Sequence, residues 1–303
     1  MGVYCNKMVE SAFMFPGQGA QYVGMGKTLY DNHEIARMTF DQANEILGFD
    51  LKRLCFDGPA EELTRTRNCQ VAILVSSIAA LRVHLLSRCD YVPQAVLGLS
   101  LGEYSALVCA ETMCFSDAVK LVRLRGQFME EASNDNPGKM ACIIGLDTYQ
   151  VEDICQESKA QIANLNCPGQ IVVSGSMESI DRASILAGDR GAKRVIVLDV
   201  SGPFHSALMA QACHKLEKAL KDIQFMPPKI PVISNVTAFA QDDPDMIKAN
   251  LVDQMSLTTR WEDSIRNIAS RGIKHFFEIG PGTVLKGLLR RIDPELVCHN
   301  VPA

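Results

Sequence analysis

The sequence predicts an α/β protein: a layered domain built on a largely parallel sheet, with a small unit of the ferredoxin-like pattern inserted into it. Three observations carry this. Short apolar runs that end in glycine alternate with helical stretches from residue 12 to residue 132. A polar break containing a proline and a glycine, "SNDNPGKM" at 133–140, then interrupts the rhythm. After it the order becomes β-α-β-β-α-β, and long helices return afterwards. The large part is therefore read as discontinuous, residues 1–133 and 203–303, with the small part at 134–202.

The elements follow in chain order. "AFMFPG" (12–17) is a strand, and helices follow near 35–47 and 70–86. "QAVLG" (94–98) is a strand leading into a helix after Ser100, with another helix at 116–132. In the insert, "KMACIIGL", "AQIANLN", "QIVVSGS" and "KRVIVLDV" are strands, and "TYQVEDICQESK" and "MESIDRASILAGDRG" are helices. The chain returns through a helix at 205–223 and a strand "IPVISNV" at 230–236. Near the end, "KHFFEIGPG" (274–282) is a strand running into a glycine turn.

Bulk properties narrow the function. The 303 residues are 47% hydrophobic and 21% charged, enough for a sizeable core. A net charge of −5 argues against a surface that binds nucleic acid as a whole. Eleven cysteines are scattered, with no CxxC pair and no HExxH, so no metal site is indicated. An odd number of unpatterned cysteines fits a reducing compartment. The start, "MGVYCNKMVESAF", has no apolar core of a secretory signal, and Asn6 stands where a myristoylation signal needs Ser or Thr. The apolar stretch "VAILVSSIAALRVHLL" contains Ser76, Ser77 and Arg82, so a soluble core helix is expected.

One motif carries chemistry on its face. In Gly98-Leu99-Ser100-Leu101-Gly102 a serine sits between glycines, after a strand and before a helix. That is the nucleophile-elbow pattern: a tight turn exposes the hydroxyl, and the next backbone N–H, that of Leu101, can face a developing oxyanion. A nucleophilic serine needs a base. Of six histidines, His205 lies where a strand ends in "DVSGPFHSALM". "FPGQGAQYVGMGKT" looks like a phosphate loop but fails as one. A Walker A ending at Gly26-Lys27-Thr28 needs glycine where Gln21 stands, and Tyr22 breaks GxGxxG. What remains is a tight turn whose backbone comes close to something else.

Six stretches, "FPGQGAQYVGMG", "GLSLGEYSAL", "LVRLRGQFM", "SGPFHSALM", "PVISNVT" and "EIGPGTVLKGL", occur in that order. Together they resemble the malonyl-CoA:acyl carrier protein transacylases over residues 11–292. The resemblance implies an α/β-hydrolase-like large subdomain with a ferredoxin-like small one. It implies Ser100 as nucleophile and His205 as its base, the latter oriented by a backbone carbonyl at the position of Gln254. It implies an oxyanion hole from the N–H groups of Gln18 and Leu101. Arg125 matches the arginine that holds the malonyl carboxylate. Asn166 matches a cleft residue of the small subdomain. Phe204 matches a residue that goes with malonyl over methylmalonyl.

The implied substrate is malonyl-CoA, and the implied partner is acyl carrier protein, which brings the phosphopantetheine. The implied setting is fatty-acid biosynthesis, by a cytoplasmic monomer or an organellar enzyme, with no metal or redox cofactor and no membrane. A basic rim formed by Lys286, Arg290 and Arg291 would suit an acidic carrier. Two positions depart from the family: Leu99 stands where histidine is common, and Pro203 where alanine is common.

Two rivals stand beside this reading. An esterase on the same elbow would use an acid as third member, and Asp147, Asp153 and Asp199 lie between Ser100 and His205. A non-catalytic docking module would keep the fold without the chemistry.

Overall fold

A computed structural model describes residues 9–87 and 91–303. Cys5, Cys89 and the first eight residues, on which the leader and acylation readings rest, lie outside the described residues. The large sheet has the order β10-β9-β1-β2-β7-β8. Its strands are β1 (Val9–Phe15), β2 (Tyr91–Gly98), β7 (Val232–Ile233), β8 (Ala240–Gln241), β9 (His275–Gly280) and β10 (Val297–Pro302). All neighbours are parallel except the β7–β8 pair. Parallel strands are buried on both faces, which is why β1 reads as a nearly unbroken apolar run through Ala12, Phe13, Met14 and Phe15.

Helices cover both faces of that sheet. Short helices α1 (Lys27–Asn32), α2 (Glu34–Leu47), α3 (Leu51–Asp57) and α4 (Ala60–Thr64) lead into the long α5 (Thr66–Ser87). By length and composition α5 could cross a membrane, but 78% of its apolar window is buried inside the protein. It packs beside α7 (Phe115–Asp135), and α6 (Gly102–Cys109) joins β2 to that layer. On the return, α10 (Ala210–Lys221), α11 (Pro244–Asp253), α12 (Trp261–Ser270) and α13 (Val284–Ile292) complete the large part. Trp261, Ile265, Leu285 and Leu289 from α12 and α13 fill the face opposite α5.

The small sheet is antiparallel with order β4-β5-β3-β6. Its strands are β3 (Gly138–Ile144), β4 (Gln161–Cys167), β5 (Gln170–Ser176) and β6 (Arg194–Val197). Helices α8 (Thr148–Ser158) and α9 (Met177–Asp189) cover one face, packed on Ala141, Ile143, Ile171 and Val173. The alternate residues Met140, Cys142 and Val172 face the other way, toward the large part. This is the β-α-β-β-α-β order read from sequence.

Several boundaries differ from the sequence reading. The expected linker 133–140 shrinks to Asn136 and Pro137: α7 runs to Asp135 and β3 begins at Gly138. The helix expected at 205–223 starts at Ala210, after a 3₁₀ turn at Ala207–Met209, because His205 is held in a left-handed conformation, φ 56°. The strand expected at 230–236 shrinks to Val232–Ile233. Pro231 has no N–H to give a ladder, and the N–H of Asn235 is taken by the Glu103 side chain. The terminal β10 was not foreseen.

Candidate active site

The site is built at the carboxyl ends of β1 and β2. After Gly98 the chain turns sharply: Ser100 has φ 50°, and α6 begins two residues later. A side chain at Gly102 would run into the backbone of Phe15 and Pro16, and one at Gly17 into the carbonyl of Leu99. The glycine-rich loop after β1 and the elbow after β2 are thus pressed together, and neither tolerates a Cβ at the contact. That is what the backbone of the "FPGQG" turn approaches. Asn235 staples the elbow: its Oδ1 accepts the N–H of Ser100 at 2.6 Å, and its Nδ2 donates to the Gly98 carbonyl at 2.7 Å.

The Ser100 hydroxyl lies 2.9 Å from Nε2 of His205. On the other side of the ring, Nδ1 lies 2.6 Å from the backbone carbonyl of Gln254. A carbonyl can only accept, so Nδ1 carries the proton and Nε2 keeps its lone pair for the hydroxyl. The N–H of His205 donates to the Met255 carbonyl at 3.1 Å, so one short segment fixes both ring and backbone. Burial, reinforced by the positive charge of Arg125, pushes the His205 pKa down to about 4. The ring is neutral at pH 7 and able to take a proton.

None of the three acids considered as third member occupies that place. Asp147 caps α8, with its carboxylate on the N–H of Gln150. Asp153 is exposed on α8. Asp199 lines the cleft, but the partner of Nδ1 is the carbonyl.

Arg125 sits on the buried face of α7 and is 1% exposed. Its neighbour Arg123 lies on the flank of the helix, donating to Asn68 and the Arg67 carbonyl. The Arg125 guanidinium donates through Nη2 to the Ser100 hydroxyl (3.1 Å) and to Oε1 of Gln254 (3.0 Å), and through Nη1 to Oε1 of Gln70 (2.7 Å). It lies over the Tyr104 ring at 5.4 Å. Burial lowers its pKa, yet a guanidinium starts high enough to stay charged. Its Nε finds no acceptor among the described residues.

A cleft of about 650 Å³ opens from this centre between the two sheets. Gln18, Leu101, Phe204 and Asn166 line it along with Ser100, Arg125 and His205. Among the described residues no protein acceptor takes the N–H of Gln18 or of Leu101. Leu101 follows Ser100 in sequence, and Gln18 follows Gly17, whose backbone is pressed against the Leu99 carbonyl. Asn166 Oδ1 is buried without a partner. Leu99, at the elbow, packs toward the apolar cluster of α12 and α13 and borders the cleft.

Sequence reasoning missed the residues beneath the site. Gln70, Glu103, Asn235 and the side chain of Gln254 are all at least 98% buried and form one hydrogen-bonded network around Ser100 and Arg125. Glu103 stands in "GLSLGEYSAL", but nothing in a helical pattern separates a buried carboxylate from a solvated one. Burial raises its pKa to about 7, against the pull of three donors and Arg125.

The arrangement can transfer an acyl group. It combines a half-buried serine that lines the cleft, a neutral base aligned on it, two backbone N–H groups with no acceptor among the described residues, and a buried cation beside the hydroxyl. Residues 12–292 match the family model described as "Acyl transferase domain". The chain is 45% identical over 294 residues to the malonyl CoA-acyl carrier protein transacylase of Bacillus subtilis, covering 95% of this chain and 92% of that one. It is 43% identical to the Escherichia coli K12 protein of the same name, covering 94% and 93%. Among solved structures, an acyl carrier protein S-malonyltransferase from Vibrio cholerae superposes with a TM-score of 0.94 at 40% identity, over 96% of each chain. A malonyl-transacylase solved with its type II PKS acyl-carrier protein gives 0.94 at 40% identity, over 97% of this chain and 96% of that one. With likeness at this level along nearly its whole length, the chain belongs to the acyl transferase domain family and, within it, to the malonyl CoA-acyl carrier protein transacylases.

Proposed function

We propose that the protein moves the malonyl group from malonyl-CoA, through an ester on Ser100, to the phosphopantetheine thiol of acyl carrier protein, in fatty-acid biosynthesis. The observation that carries this is the Arg125–Ser100 contact of 3.1 Å. A serine and histidine alone would accept any acyl thioester of suitable size. A fully buried guanidinium against the nucleophile gives the site a partner for an acyl group that bears its own carboxylate.

The geometry supports the following steps. Nε2 of His205 takes the Ser100 proton as Oγ attacks the thioester carbonyl. The carbonyl oxygen becomes an oxyanion held by the N–H groups of Gln18 and Leu101. Collapse expels the CoA thiolate, which receives the proton from His205, leaving the serine ester. The carrier's thiol then gives its proton to His205 and attacks the ester carbonyl; the C–O bond to Ser100 breaks, and the departing Oγ takes the proton back from His205. Phe204 and Asn166 shape and line the cleft through which both thiols reach the ester.

The reading includes a monomer that needs no metal or redox cofactor, working in the cytoplasm. Nine cysteines among the described residues are all free, which supports a reducing compartment. The carrier is proposed to approach over α13, whose Val284 and Leu288 border the cleft and whose Lys286 and Arg290 are exposed. Arg291, also exposed, reaches across to the side chain of Gln170 on the small sheet.

Intact-mass measurement tests the reading. Malonyl-CoA should add one malonyl group to the protein, and carrier protein bearing phosphopantetheine should remove it and become malonylated. Release of free malonate at a rate matching acylation, with no gain on the carrier, would instead identify a hydrolase.

A further inference from the structure

Glu103 lies three residues past the nucleophile, in the first turn of α6, and is 1% exposed. The acyl-transfer steps give it no role. Its Oε2 accepts the N–H of Asn235 at 3.1 Å and Nε2 of Gln254 at 2.7 Å, and its Oε1 accepts Nε2 of Gln241 at 2.9 Å. Gln241 is itself held through its Oε1 by Asn250 at 2.8 Å. Every neighbour of the carboxylate is a donor, as an acceptor-only group requires.

The Gln254 amide consequently has one possible orientation. One end faces acceptors only, the Ser100 carbonyl at 3.0 Å and Glu103 Oε2. The other end faces Nη2 of Arg125, a donor only, at 3.0 Å. Nitrogen must stand at the first end and oxygen at the second. A flipped amide would press its NH₂ against the guanidinium.

We propose that Glu103 is a positioning residue for acyl-group selection: it fixes the Gln254 amide, whose oxygen in turn aims Arg125 at the substrate's carboxylate. This rests on the reading of Arg125 as the carboxylate clamp. Glu103 has a second reach, through the Asn235 N–H, to the staple on the elbow. The two effects separate cleanly. A disturbed elbow slows transfer of every acyl group alike. A misaimed Arg125 slows only those that carry a carboxylate.

The test compares kcat/KM for malonyl-CoA and acetyl-CoA in the wild type, E103Q, Q254M and the double variant. Glutamine at 103 leaves one oxygen for three donors, and methionine at 254 keeps the backbone carbonyl that holds His205. Each single variant should lower the malonyl-to-acetyl ratio by about 10-fold, and the double variant should fall no further, because both act through one amide. E103Q should also slow both substrates by a common factor. An unchanged ratio in E103Q, or effects that multiply in the double variant, would overturn the proposal. Should E103Q fail to fold by thermal unfolding, Q254M decides alone, and an unchanged ratio there overturns it. A wild type that does not prefer malonyl-CoA to acetyl-CoA would refute the clamp itself, a failure visible before any variant is made.

Discussion

His205 is oriented by the backbone carbonyl of Gln254, with 2.6 Å between Nδ1 and that oxygen, and not by a carboxylate. A carbonyl fixes the tautomer without adding a negative charge beside the base. His205→Ala should therefore slow acylation by about 10²- to 10⁴-fold, the range for a positioned general base. Asp199→Asn should leave the rate nearly unchanged. Single-turnover acylation by malonyl-CoA measures both. A loss in Asp199→Asn matching that in His205→Ala would restore the triad reading.

Ser100→Ala should remove the covalent adduct. Loss of the nucleophile at such sites costs on the order of 10⁶ in turnover. Intact-mass spectrometry after exposure to malonyl-CoA reads this directly, and an adduct that persists on the alanine variant would place the ester elsewhere.

Arg125→Ala should lose malonyl transfer and keep or gain acetyl transfer. A charge-assisted contact in a dry pocket is worth about 2–5 kcal/mol, so the malonyl-to-acetyl ratio should fall by roughly 30-fold to several thousand-fold. Lysine at 125 should rescue poorly, because it lacks the planar fork that already serves Ser100, Gln254 and Gln70. An unchanged ratio in Arg125→Ala would mean the carboxylate is read by another group.

The depressed His205 pKa has a kinetic and a stability consequence. Labelling of Ser100 by a neutral serine-directed reagent such as phenylmethylsulfonyl fluoride should stay level below pH 6.5 and fall as pH drops through about 4, where the ring gains its proton. In the unfolded chain a histidine titrates near 6.5, so between those values the unfolded state binds more protons. His205 should contribute no pH dependence above about 6.5 and should cost stability progressively as pH falls toward 4. A labelling limb centred at 6.5 would show a ring open to water.

Gly102→Ala should destabilise the protein by about 1–3 kcal/mol or more, as overpacking does, because its Cβ would meet backbone carbonyls that cannot swing aside. Thermal unfolding checks this. An unchanged melting temperature would mean the β1 loop and the elbow can move apart.

The sequence alone determined the features that short-range sterics dictate. A serine between glycines after an apolar strand specifies an elbow, whatever surrounds it. Short apolar runs bounded by glycine and polar residues in "KMACIIGL" and "QIVVSGS" specify strands, and their place in a β-α-β-β-α-β order specifies a small sheet with helices on one face. Proximity along the chain carries that information. Only the tertiary structure decided which partner meets which. It chose the Gln254 carbonyl over Asp199 for His205, and it buried Arg125 while leaving Arg123 on the flank. It turned 133–135 into the last turn of α7 and cut the strand at 230–236 to two residues. It also gathered Gln70, Glu103, Asn235 and Gln254 beneath the nucleophile, through hydrogen bonds that span 55 to 154 positions in the chain. A polar side chain in a helix reads the same whether it faces water or a buried guanidinium. Burial and direction, which set its chemistry, come from elements that meet only when the two sheets and their helices pack.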